Sequence, residues 1–398
     1  MLKKIAVDQL RTGMYLHKLG GSWLQHPFWR SAFVLESLDD LRAVRECGIE
    51  DLWIDTAKGL DVESAPPVLA APVAVVAAAV LPRHSPAGFE EELERARGIC
   101  ALAGGAMASM FTDARMGRVV GIGAAQPLVE DIAASVARNP AAFVSMVRLK
   151  ALDDYTYMHS VAVCALMVAL GQQLGWPEAQ VREAGMGGLM HDLGKALMPL
   201  EVLNKPGSLT EHEFGIMKGH PEEGWRLLRE AGTASETVCD VALHHHEKYD
   251  GAGYPHQLAG EGIGVYARMG ALCDVYDAVT SLRSYKAAWD PALAMRRMAS
   301  WKGHFDPVLT QAFIKSVGIY PVGSLVRLAS QRLAVVVEPN AGALLYPRVK
   351  VFYSAARREP LQHAIVDLSV LRAQDKIVGV EDPQSWGFGD LDALWLPR

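Results

Sequence analysis

The chain has 398 residues, half of them hydrophobic and 21% charged, with a formal net charge of −6. This composition excludes a wholly disordered chain and leaves room for two or three domains with a sizeable core. It also disfavours polymeric DNA or RNA as the main partner, because general nucleic-acid binders carry a basic balance. A small phosphorylated ligand needs only a local cluster of cations or metals, which whole-chain charge does not report.

The first section, 1–61, alternates short apolar runs with turn residues at Gly13, Gly20-Gly21 and Pro27. Leu52-Trp53-Ile54 reads as a strand and 38–46 as a helix, which together predict a small α+β regulatory domain rich in β structure. Its aromatic residues are expected in the core. Asp8, Gln9 and Arg11 interrupt the apolar run that an export signal needs. Prolines at 66, 67, 72, 82 and 86 mark 62–88 as a Pro/Ala-rich linker. The alanine-rich run at 68–81 is broken by Pro72 and is shorter than the ~20 residues of a spanning helix, so no membrane span is expected.

Connecting helices follow over 89–139, predicted at 89–111 and 127–137. From 140 to 320 the chain reads as successive helices. The apolar stretch 160–174 stops at Gly175 and restarts after Pro177. Thr210 and Glu213 have capping-box spacing. Gly318 and Pro321 close the section. The tail, 321–398, changes to strand-like alternation at 324–337 and 346–353, predicting a small β-rich appendage. Five scattered cysteines without a CxxC pair suit a reducing compartment, and the cytoplasm is the default location. Cys164, Cys239 and Cys273 lie in apolar stretches and are expected in the core.

Seven residues carry the chemical signal: His159, His191, Asp192, His220, His245, His246 and Asp274. Neutral imidazole and carboxylate are transition-metal ligands. Adjacent His191 and Asp192 can both aim inward where a helix ends, and the others fall on separate predicted helices, as in metal sites of helical bundles. A carboxylate has two oxygens, so Asp192 is the natural bridge between two ions about 3.5–4 Å apart. A lone helical histidine is ordinarily structural, and His17, His26, His84, His212 and His304 are read so. His244 abuts the His245-His246 pair and is read as supporting or structural.

The stretch His191-Asp192-Leu193-Gly194-Lys195 resembles the HDxGK core of the HD phosphohydrolase superfamily. His245-His246-Glu247, Asp250-Gly251 and Gly253-Tyr254-Pro255 resemble the HHExxDGxGYP signature of its HD-GYP subfamily. Leu203-Asn204-Lys205-Pro206-Gly207, Asp274-Val275-Tyr276-Asp277 and Phe305-Asp306-Pro307 extend the match through nearly all of 140–320. Gly13-Met14-Tyr15, Trp23, Pro27-Phe28 and Trp53-Ile54-Asp55 look like the uncharacterised domain often fused ahead of HD-GYP domains, for which ligand sensing and homodimer contact are both open.

The resemblance implies a mainly α-helical metal-dependent phosphohydrolase core that hydrolyses cyclic di-GMP to linear pGpG, in some members onward to GMP, in bacterial second-messenger signalling. The implied nucleophile is a metal-bridging hydroxide, and two divalent ions, iron or manganese, are the expected cofactors. It implies that His159, His191, Asp192 and Asp274 hold one ion and that Asp192, His220, His245 and His246 hold the other. Lys195 would contact the scissile phosphate, and Arg283 and Lys286 would grip the ligand phosphates. Gly253, Tyr254 and Pro255 form a turn-rich loop read as shaping the pocket mouth, with contact to the ligand or a partner as the second reading, and the resemblance links the loop to GGDEF-type diguanylate cyclases. Tyr155 stands where some members place a glutamate for a third metal, and Asp153 and Asp154 are displaced from that position, so two ions are expected. Two other readings stay open: a signalling adaptor that binds nucleotide or a GGDEF partner with little turnover, and a phosphodiesterase for another cyclic dinucleotide such as cyclic GMP-AMP.

Overall fold

The structure is a computed structural model that describes residues 2–19, 33–35, 41, 44–45, 51–62, 87–118, 121–149, 155–281, 288–340, 343–370 and 374–396. The chain divides into two compact units, Met1–Arg83 and His84–Arg398. The expected linker falls almost wholly outside the described residues.

In the first unit, strands β1 (Leu2–Ala6), β2 (Tyr15–Leu19), β3 (Phe33–Val34) and β4 (Asp51–Asp55) form an antiparallel sheet in the order β1-β4-β2-β3. Leu41, Val44 and Arg45 are helical. One face of the sheet is closed by Ile5, Leu10, Met14, Leu16, Leu35, Leu41, Val44, Leu52 and Ile54. The expectation that the aromatic residues lie in this core is corrected at Trp53, which is 38% exposed. Successive strand side chains point to opposite faces, so burial of Leu52 and Ile54 sends Trp53 outward. Trp23 and Phe28 lie outside the described residues.

The second unit begins with α1 (Phe89–Arg115), α2 (Gln126–Arg138) and α3 (Pro140–Arg148), and Asn139 caps α3 by accepting from Ala142 N at 3.2 Å. The fully buried Glu92 carboxylate joins α1 to α2 by accepting from Ser135 at 2.6 Å and from Arg138 at 2.7 and 2.8 Å. Helix α4 (Tyr155–Gln173) is buried on all sides from Val161 to Leu170. A helix apolar all round belongs in the centre of its unit, and α1, α2, α3, α5 (Glu178–Met190), α10 (Val265–Thr280) and α12 (Pro307–Val317) all pack on it. Between α5 and α10 come α6 (Leu200–Leu203), α7 (Glu211–Met217), α8 (His220–Ala231) and α9 (Glu236–His244), and α11 (Pro291–Ser300) precedes α12. The Thr210–Glu213 capping box opens α7.

The tail forms a five-stranded antiparallel sheet, β8-β7-β6-β5-β9, from β5 (Leu325–Leu328), β6 (Arg332–Glu338), β7 (Arg348–Ser354), β8 (Glu359–Asp367) and β9 (Ile377–Val380). Strand patterning picks out β5, β6 and β7 but not β8 and β9. These two are the sheet edges, β8 largely exposed and β9 mostly half-buried, so neither carries a buried alternating face. The sheet shares a core with the helices: Val322, Leu325, Leu333, Val335, Phe352 and Trp395 cluster with Phe89, Leu93 and Ala142. The chain therefore has a mostly helical core with small sheets near its N- and C-terminal ends. No described helix is long and apolar enough to cross a membrane.

Candidate metal centre

Helix α5 ends at Met190, and its last carbonyls set the geometry of the HD pair. His191 keeps helical backbone angles and donates Nδ1–H to the Gly188 carbonyl at 2.7 Å. Asp192 leaves the helix and opens a 3₁₀ turn over Leu193–Leu197, with its side chain buried. That turn lies directly on the start of α8. A Cβ on Gly194 would come within 1.9 Å of the His220 carbonyl oxygen, so only glycine permits this approach. His220, the first residue of α8, donates Nδ1–H to the Met217 carbonyl at 2.7 Å. His245, just past α9, turns Nδ1 toward the carbonyls of Ala242 and Val241 at 3.0 and 3.1 Å. His159 on α4 turns Nδ1 to Asp277 Oδ2 at 2.6 Å.

A carbonyl oxygen can only accept, so the proton of His191, His220 and His245 resides on Nδ1 and the Nε2 lone pair faces the interior. This is how metal-binding imidazoles are held. The Nε2 atoms of His220 and His245 are 3.3 Å apart, two lone pairs facing one another that a cation between them would reconcile. His191 Nε2 and Asp192 Oδ1 are buried without a hydrogen bond of good geometry, although buried polar atoms are ordinarily satisfied. The donor set therefore fits metal.

Asp192 stands between two groups. Its Oδ1 is 3.2 Å from His220 Nε2 and 3.7 Å from His245 Nε2. Its Oδ2 is 3.3 Å from His191 Nε2 and 3.5 Å from His159 Nε2. Two sets of donors converge accordingly: Asp192, His220, His245 and His246, and His159, His191 and Asp192. Asp274 Oδ1 joins the second set at 2.9 Å from His159 Nε2 and 4.0 Å from His191 Nε2. All seven residues singled out by sequence thus meet in one buried cluster.

The electrostatics also suit a cation. Burial opposes the Asp192 carboxylate, but His191, Lys195 and His220 outweigh it and hold the carboxyl well below its usual range. Asp274 is likewise held well below by His159, His246 and His191 against burial. Burial lowers His220 to about 4, aided by Lys195 and His245, and burial with the neighbouring histidines lowers His246 well below its ordinary value. His159 goes the other way, because Asp274 and Asp277 outweigh its burial. The two anionic carboxylates and the neutral imidazoles of His220 and His246 are ready to ligate without first losing protons.

Lys195 donates to Asp192 Oδ2. The Gly253-Tyr254-Pro255 loop folds back over the end of α9. The Tyr254 N–H donates to the His246 carbonyl at 3.2 Å, and its ring stacks on His246 with centroids 4.8 Å apart. Gly253 lies against the backbone of Glu247, where a Cβ would come within 2.4 Å of Glu247 Cα. Glu247 accepts from the His256 N–H at 2.7 Å, which pins the far side of the loop. His244 Nδ1 and Asp240 Oδ1 are 2.6 Å apart, and His304 packs on Trp301 and Phe305. Arg283, Lys286, Asp153, Asp154 and the Tyr155 side chain lie outside the described residues.

Asp277 is the site residue that sequence reasoning left without a role. Its signal was its place three residues after Asp274, one turn along the same helix face.

An HD pair at a helix end, a carboxylate set between two groups of histidines and four further histidines, all in a helical centre, define the class: an HD-type metal-dependent phosphohydrolase. Comparison with known proteins carries this further. Residues 127–309 match the family described as "HD domain", and residues 2–125 match a domain of unknown function, DUF3391. A cyclic di-GMP phosphodiesterase of Pseudomonas aeruginosa is 53% identical over 403 aligned residues, covering 99% of this chain and 96% of that protein. A cyclic di-GMP phosphodiesterase response regulator of Xanthomonas campestris is 42% identical over 150 residues, covering 37% of this chain and 39% of that protein. A solved HDGYP protein from Bdellovibrio bacteriovorus aligns at a TM-score of 0.47 and 17% identity, over 79% of this chain and 98% of that one. The chain belongs to the HD-GYP family of cyclic di-GMP phosphodiesterases, with the DUF3391 domain fused ahead of its HD domain.

Proposed function

We propose that the protein hydrolyses cyclic di-GMP to linear pGpG at the His/Asp cluster. The observation that carries this reading is the division of Asp192, one oxygen facing His220 and His245 and the other facing His159 and His191. His159, His191, Asp192 and Asp274 would hold one divalent ion, and Asp192, His220, His245 and His246 the other. Mixed imidazole and carboxylate ligation suits iron or manganese. Such a pair supplies Lewis acidity toward a phosphodiester and an activated water.

The chain's own residues supply the rest. The backbone carbonyls of Gly188, Met217 and Ala242 and the Asp277 carboxylate fix the imidazole rings, so the ligand positions are set before substrate arrives. Hydrolysis adds one water across one phosphodiester: a new P–O bond forms, the P–O3′ bond breaks, and the departing 3′ oxygen takes a proton. Lys195 is the described cation closest to Asp192, and its ammonium is suited to stabilise or protonate that oxygen. The Tyr254 ring covers His246 and narrows access from one side. The Tyr254 hydroxyl keeps its proton, because burial and then Asp274 and Asp192 raise its pKa.

Purified protein supplied with iron or manganese should convert cyclic di-GMP to pGpG in a chromatographic assay. Asp192→Ala should lower kcat by about a thousandfold or more, since removing the bridge dismantles both ligand sets. Equal turnover by the two proteins would refute the assigned centre. Faster turnover of cyclic GMP-AMP than of cyclic di-GMP would move the substrate assignment.

A further inference from the structure

The Gly253-Tyr254-Pro255 loop runs directly into His256, and His256 is fastened twice. Its backbone N–H donates to Glu247 Oε1 at 2.7 Å. Its ring Nδ1 lies 3.0 Å from Nε2 of His244, the last residue of α9, with ring centroids 5.2 Å apart. One turn earlier on α9, Asp240 Oδ1 is 2.6 Å from His244 Nδ1. An ionised carboxylate only accepts, so the His244 proton resides on Nδ1 and its Nε2 is an acceptor. His256 therefore donates its Nδ1–H to His244. Asp240 is itself confined: its Oδ2 lies against Gly264, the N-cap of α10, where a Cβ would come within 2.1 Å of it. The mostly buried His244 ring is thus a fixed anchor between α9 and α10, offered to a loop residue that is otherwise exposed. An exposed side chain without an anchor keeps its rotamers, and ordering it costs entropy.

Two residues before His256, Tyr254 donates its N–H to the His246 carbonyl at 3.2 Å and lays its ring on His246, with ring planes 25° apart. We infer that His256 is a positioning residue that keeps Tyr254 over His246, its ring held by the Asp240–His244 pair and its N–H by Glu247. The inference rests on the proposed hydrolysis of cyclic di-GMP and adds to that site a residue beyond the motif, which ends at Pro255. His256 acts through Tyr254. Without the ring contact, the segment that follows Tyr254 hangs on the Glu247 hydrogen bond alone, and the wall that Tyr254 forms beside His246 loosens. Substrate then meets a less ordered pocket, while the imidazoles keep the backbone carbonyls that orient them.

The test compares wild type, His256→Ala, His256→Asn, Asp240→Ala and the His256→Ala/Asp240→Ala double variant of the full chain, loaded with manganese. Amide hydrogen exchange over 253–257 is followed by mass spectrometry without substrate, and KM and kcat are measured with cyclic di-GMP. His256→Ala should speed exchange in this segment about fivefold and raise KM by a similar factor, the scale of one hydrogen bond. Exchange in α4, bound manganese and kcat should stay close to wild type. His256→Asn, whose amide can replace the Nδ1–H donor, should restore most of both losses. Asp240→Ala should give a smaller loss of the same kind, and the double variant should be no worse than His256→Ala, because the three side chains act as one chain. Wild-type exchange or wild-type KM in His256→Ala would overturn the inference. So would manganese lost in step with the rise in KM, which would make His256 a support of the metal centre. If wild type fails to turn over cyclic di-GMP, the hydrolysis reading falls, and the exchange rates still decide whether His256 holds the loop.

Discussion

Asp277 illustrates how a candidate metal ligand is positioned from behind. It presses a carboxylate on Nδ1 of His159 at 2.6 Å and accepts from the Ser281 hydroxyl at 3.2 Å, while the opposite nitrogen of His159 faces Asp274 and Asp192. Removing such a support typically costs 10–100-fold in metal affinity. Asp277→Asn is expected to lose metal affinity on about that scale, read by metal titration of the purified protein, while its far-UV spectrum stays native. Unchanged affinity would show that His159 orients without it. Gly194 acts differently: it contributes no group, but its missing Cβ brings the Asp192 turn against His220, and that close approach sets Asp192 beside His220.

Among the elements, α11 and β5 are coupled through one carboxylate. Asp290 caps α11 by accepting from Ala292 N at 2.9 Å and Leu293 N at 3.2 Å, and its other oxygen accepts from Leu325 N of β5 at 2.9 Å. An asparagine can cap the helix but presents an NH₂ group to Leu325 N–H or forfeits a cap. Asp290→Asn is therefore expected to destabilise the protein by about 1–3 kcal/mol at about pH 4, measured by urea unfolding. The pH dependence has a definite sign. Burial raises the Asp290 carboxyl to about 6, against the pull of its three backbone hydrogen bonds and Arg148. The folded state then binds this proton more tightly than the unfolded state. The stabilisation is complete below the ordinary carboxylate range and is lost as pH rises through about 6. The stability difference between wild type and Asp290→Asn should shrink or reverse as pH rises from about 4 to about 7; a difference flat across that window would contradict the assignment.

At the scale of the whole molecule, the five-stranded sheet is part of the second unit's core. Phe89 and Leu93 at the start of α1 and Ala142 of α3 pack with Val322, Leu325, Leu333, Val335, Phe352 and Trp395. A chain ended at residue 320 should lose cooperative thermal unfolding or melt well below the full chain, because that apolar surface would face water. A melt like that of the full chain would show the sheet to be dispensable.

Much of this architecture was legible without coordinates. The apolar run of α4, the Thr210–Glu213 box and the strand at Leu52 and Ile54 declare themselves because helix and strand periodicities and caps are local. The seven His and Asp residues declare themselves because few other chemistries call for so many ligands in one helical region. Edge strands β8 and β9 did not, because solvent on their exposed faces places little demand on residue type. Nor did the outward face of Trp53 or the carboxylate behind His159. Each depends on which residues distant in sequence meet in space, and local periodicity holds no record of that. Sequence alone determined the candidate ligand inventory and the family; tertiary packing decided which Asp192 oxygen faces which histidines, because that depends on how α4, α5, α8 and α9 converge.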